Sequence, residues 1–131
     1  MNERNSDIDN KIQGLAVQLN QDGIVQTVLR DDLGILEEKS EGSDFFASVV
    51  EPHNLQKYLA FLKEIREKQA GFNWEINILL RDKILPLHFV GGSVNSASSM
   101  FIVGSFSARE AGNLFDEVMR VNNDQVNLIR Q

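Results

Sequence analysis

The run Met100-Phe101-Ile102-Val103 is apolar at every position, so as a strand it presents apolar side chains on both faces. Such a strand needs cover above and below, which places it in the middle of a sheet. A chain of 131 residues can build that arrangement once, since its length supports one core and not two. With 42% hydrophobic and 24% charged residues, the composition is that of a folded domain.

The flanking strands follow from spacing. Leu15, Val17 and Leu19 alternate with Ala16, Gln18 and Asn20, the two-residue period of a half-buried strand. Asn20-Gln21-Asp22-Gly23 reads as a turn, and β-type residues resume from Ile24, so Leu15 to Leu29 predicts a hairpin. Further on, Phe72 to Leu80 and Ile84 to Val90 predict two strands joined by a tight turn at Arg81-Asp82-Lys83. Gly91 to Ser99 reads as a small-residue connection with a kink at its glycine pair, and Met100 to Phe106 as the last strand. Pro86 lacks an N–H and favours an edge or an irregular stretch.

Helical periodicity fills the remainder. Ser6 can cap a short amphipathic helix over Asn5 to Gln13, where Ile8 and Ile12 fall at helical spacing with Leu15 beyond. Arg30 to Gly42 reads as loop and short turns, and Asp44 to Val50 as a brief helix capped by Ser43 or Asp44. Glu51-Pro52 stops that turn and restarts the chain. From Pro52 to Ala70, Leu55, Leu59, Leu62 and Ile65 make an apolar stripe, less regularly joined by Tyr58 and Phe61, with Gly71 as the stop. The expected class is therefore α+β.

The last segment, Ala108 to Arg130, is helical, and Leu114, Val118, Val121, Gln125 and Leu128 step by four, three, four and three. That is a heptad seam of about two heptads. It can pair with a second copy, or the helix can lie on its own sheet. Asn122, Asn123, Asp124 and Gln125 make its second half too polar to bury.

Several functions are disfavoured. A net charge of −6 opposes binding to nucleic acid or anionic membranes. The absence of cysteine removes disulfides, thiol nucleophiles and cysteine metal sites. No apolar run reaches the roughly 20 residues that span a bilayer, and the polar first residues carry no signal core, so a cytoplasmic location without membrane insertion is expected. His53 and His88 stand apart in sequence, so no metal set is expected, and a haem-ligand role for His53 is disfavoured. Glu75 and Asp82 are isolated carboxylates, and Ser93, Ser96, Ser98 and Ser99 have no nearby base. No catalytic residue is assigned.

The order of elements, with Asp22-Gly23-Ile24-Val25, Phe45 to Val50 before Glu51-Pro52-His53, Phe72-Asn73-Trp74-Glu75, Leu80-Arg81-Asp82 and Phe101-Ile102-Val103-Gly104, resembles a PAS domain over roughly Gly14 to Arg109. The exit, Ser107-Ala108-Arg109-Glu110, departs from that pattern. The resemblance implies an antiparallel five-stranded sheet with helices on one face, a short N-terminal helix and a C-terminal exit helix. It divides the chain into an N-terminal cap (1–13), a sensor domain (14–107) and a signalling helix (108–131).

What it implies of function is a non-catalytic regulatory sensor and dimerisation module of a signal-transduction protein, of the sensor histidine kinase kind, relaying ligand or partner binding through its last helix. No phosphoacceptor-histidine motif or ATP-binding box is present, so the output domain is expected elsewhere in the parent protein. By the same resemblance, His88 occupies a cavity-facing phase, with Ile78 and Phe106 where flavin-binding relatives have polar contacts, and Tyr58 and Trp74 complete a candidate pocket. Two apolar replacements oppose flavin held in that way, and without cysteine no flavin adduct can form. The ligand stays unnamed. The alternative is a small α+β enzyme or ligand carrier with a deep pocket, which needs a buried acid-base pair around His88.

Overall fold

The computed structural model describes residues 12–36, 42–94 and 99–130, without the side chains of Val94 and 122–130. The expected N-terminal helix falls outside these residues apart from Ile12 and Gln13. Strand β1 (Gly14–Asn20) turns into β2 (Val25–Asp31) through Gly23, whose φ of 82° suits glycine. Helix α1 (Phe45–Val49) follows, capped by the Asp44 carboxylate, which accepts from the Ala47 N–H. A 3-10 turn (Pro52–Asn54) leads into α2 (Leu55–Lys68), then β3 (Ala70–Leu80), β4 (Lys83–Val94), β5 (Ser99–Ser105) and helix α3 (Ala108–Arg130).

All strand pairs are antiparallel, in the order β2-β1-β5-β4-β3. The doubly apolar strand β5 is central, as its composition requires. On one face Leu15, Val17, Leu19, Ile76, Ile78, Leu87, Phe89, Met100 and Ile102 pack under Phe45, Tyr58, Phe61, Leu62 and Ile65. On the other, Ala16, Val90 and Val103 pack under Ala111 and Leu114 of α3, with Ile12, Phe115 and Val118 at the margin. As the resemblance implies, α1 and α2 cover one face, and the first half of the exit helix α3 covers part of the other.

Three local expectations change. The buried stripe of α2 is Tyr58, Phe61, Leu62 and Ile65, whereas Leu55 and Leu59 are exposed, because the helix is rolled to bury its aromatic residues. That helix ends on Gln69, left-handed at φ 72° with its N–H on the Ile65 carbonyl, two residues before Gly71. Gly91 and Gly92 lie inside β4 instead of ending it. A Cβ on Gly91 would stand 2.4 Å from Ile65, and one on Gly92 would stand 2.7 Å from the Phe115 ring. Both helices approach the sheet where it has no side chains. Pro86 lies in β4 beyond its last pairing with β5, where β4 has a strand partner only in β3. The β3–β4 hairpin turns on Arg81 and Asp82 alone, both at positive φ, the two-residue turn that matches strand twist.

Candidate functional site

The five candidate pocket residues do not converge. Strand alternation decides this: Leu87 and Phe89 point toward α2, which puts His88 on the opposite face with Val90. There His88 lies in register between Glu75 on β3 and Ser105 on β5. Phe106 follows the end of β5 and is 48% exposed. Tyr58, Trp74 and Ile78 do share the α2 face. Ile78 is fully buried core, joined to Val50 by an isolated bridge, and Trp74 is half-buried with its ring 5.9 Å from that of Phe61. Among the described residues no buried carboxylate faces His88, so its placement does not favour the deep-pocket enzyme reading.

Tyr58 is the unusual member. Its ring stacks with those of Phe45 and Phe46 at 6.0 and 5.8 Å, and the residue is 4% exposed. Among the described residues its buried hydroxyl has no hydrogen-bond partner, and it is directed at Gly23, where a Cβ would come within 3.1 Å. Burial therefore raises its pKa well above that of a free phenol, with the Asp44 charge acting in the same direction and Arg66 opposing.

The Glu51-Pro52-His53 stretch works as a clasp. The Glu51 side chain is 8% exposed, and its carboxylate lies 2.6 Å from His53 Nδ1 and accepts the His53 backbone N–H. These hydrogen bonds hold the carboxyl below the usual glutamate range. The Glu51 N–H donates to the Asn77 carbonyl, and the Asn77 N–H donates to Asn54 Oδ1. The start of α2 is thereby tied to the edge strand β3.

A second set of contacts, unforeseen from sequence, joins the two ends of the domain. Arg30, at the end of β2, donates from Nε to Asp32 Oδ2 at 2.7 Å and from Nη2 to the Ile12 carbonyl. Its Nη1 lies 3.7 Å from Glu117 Oε2 on α3. Asp32 Oδ2 also accepts the Gly14 N–H, and Ser105 Oγ donates to the Gln13 carbonyl. One guanidinium thus touches the segment leading into the sheet and the helix leading out. No local pattern signals this, because Ile12 lies 18 positions before Arg30 and Glu117 lies far along the chain on α3.

Beside Arg30, a groove of about 190 Å³ is lined by Leu29, Arg30, Glu117, Val118 and Val121. The seam expected on α3 is divided here. Leu114 is 0% exposed against its own sheet, Val118 is half-buried, and Val121 is 49% exposed. Gln125 and Leu128 belong to the part of α3 whose side chains lie outside the described residues. Ala111 and Phe115, which the heptad reading passed over, complete the contact with the sheet.

Known structures share this arrangement. A PAS domain from Colwellia psychrerythraea superposes with a TM-score of 0.62 at 9% identity, over 82% of this chain and 97% of its own. The PAS domain of nitrogen regulation protein NR(II) from Vibrio parahaemolyticus gives 0.54 at 10%, over 79% and 97%. The fold is that of a PAS domain. The photoactive yellow protein domain of the sensor histidine kinase Ppr from Rhodospirillum centenum shares it too, with 0.54 at 10% identity over 72% and 92%. No family model matches the sequence, and no curated protein matches it. Among the described residues, no helix of this PAS fold is long and apolar enough to cross a membrane, and no cluster of three His, Asp or Glu side chains could hold a metal ion.

Proposed function

We propose that this chain is a cytoplasmic regulatory module of a signal-transduction protein, of the sensor histidine kinase kind, which dimerises and relays binding of a small ligand or partner through α3. The observation that carries this reading is the placement of α3. Its first half is part of the second core and is touched by Arg30, while its heptad spacing runs on toward Arg130. A change in sheet packing therefore acts directly on a helix suited to pairing, which is the two-state coupling a relay needs. The PAS fold and its occurrence in a sensor kinase among the similar structures agree with this reading. Catalysis is assigned to an output domain of the parent protein, outside residues 1–131.

Sedimentation equilibrium of the full chain tests the reading. A concentration-dependent dimer is expected, weakened by Val121→Glu, which places a charge on an exposed seam position. A chain that stays monomeric at high micromolar concentration would overturn it. Mass spectrometry of the denatured protein identifies any small molecule carried through purification.

A further inference from the structure

Leu114 and Val118 are claimed twice. In the folded domain Leu114 is buried and Val118 half-buried against Ala16, Val90 and Val103. By their spacing, the same two side chains also open the heptad seam that continues through Val121, Gln125 and Leu128. One side chain cannot fill a hole in a sheet and a hole in a second helix together.

We propose that the apolar stripe of α3 has two mutually exclusive seats, its own sheet and the same stripe of a second copy, so that docking restrains dimerisation. This rests on the reading of α3 as the dimerising element and adds its regulation. Two contacts favour the docked seat without belonging to the seam. Phe115 lies one position off it and packs where Gly92 leaves room. Arg30 meets Glu117 at 3.7 Å. The occupant of the second seat is another copy of this chain, because a heptad stripe with a polar residue at one core position is built to meet its like in register. Leu29 and Val121, both exposed beside the Arg30 groove, mark the end of the described contact between α3 and the domain.

The linkage has a definite sign. If only the undocked fraction of each protomer pairs fully, the apparent association constant is reduced by the square of that fraction. Loosening the docked seat while leaving the seam intact must then strengthen the dimer.

The test compares the full-length chain with Phe115→Ala and Glu117→Gln by sedimentation equilibrium, with hydrogen exchange of the amides of 111–118 as a second readout. Phe115→Ala is expected to raise the association constant at least about tenfold and to speed exchange in the monomer. Glu117→Gln, on an exposed helix surface and safe for folding, is expected to raise it about two- to fivefold, with the same sign. A wild-type dimer that both variants leave unchanged or weaken refutes the two-seat proposal while preserving the dimer reading. So does open-ended aggregation in place of a defined dimer. A wild type that stays monomeric at high micromolar concentration ends the dimer reading and this proposal with it.

Discussion

Removing the Tyr58 hydroxyl should stabilise this protein. The group is buried and has no partner among the described residues, so folding strips its water and returns no hydrogen bond. The cost of leaving such a group unsatisfied is about 1–3 kcal/mol, against which the hydroxyl makes a small packing gain at Gly23. Tyr58→Phe is therefore expected to add about 1 kcal/mol. An unfolding entropy of about 2.1 cal/mol/K per residue gives about 0.28 kcal/mol/K for this chain, so Tm should rise by about 4 °C.

The alkaline limb supplies an independent check of sign. The folded pKa of Tyr58 is raised above the ordinary value near 10, so above that pH the unfolded chain loses a proton that the native one keeps. Stability is full below about pH 10 and falls as pH rises toward the native pKa. By about pH 11 the wild type should have lost about 1.4 kcal/mol relative to Tyr58→Phe. Because Tyr58 is the sole tyrosine, phenolate absorbance of the native protein reports on it directly. Calorimetry of both proteins with a spectrophotometric titration completes the assay. A Tyr58→Phe variant less stable by about 1 kcal/mol, or a native phenol titrating near pH 10, would refute the reasoning and show that the hydroxyl has a partner.

Other perturbations separate the two cores and the clasp. Gly104→Ala puts a Cβ 2.7 Å from the buried Phe89 ring and should cost about 1–3 kcal/mol by urea denaturation. Leu114→Ala, in the second core, should cost about 2–3 kcal/mol and also remove the first seam residue. Glu51→Gln removes a carboxyl whose folded pKa is depressed, which stabilises above the unfolded value near 4.3 and is lost as pH falls through the folded one. Melting curves of wild type and Glu51→Gln should therefore lie apart at about pH 6 and converge at about pH 3. A gap that widens on acidification would contradict that sign.

Much of the scaffold was legible because its signals are local. Alternation at Leu15 to Asn20, the turn at Asn20 to Gly23, the Asp44 cap and the composition of Met100 to Val103 each speak within a few residues. The order of those elements was enough to resemble a PAS domain. The tertiary structure decided which face each side chain serves. His88 was placed in a cavity by analogy, yet the phase of β4 is set by Leu87 and Phe89 meeting α2, which turns His88 the other way. Helix α2 likewise buries Tyr58 and Phe61 in preference to Leu55 and Leu59, since the roll of a helix follows the shape of the sheet below it. The seam on α3 was visible from its spacing. That Leu114 already has a place on the sheet was not, because Gly14, Ala16, Val90 and Val103 come from three strands that only the folded chain assembles. Residue order thus determined the heptad spacing of the last helix, and packing determined that the first part of that spacing is occupied by the sheet.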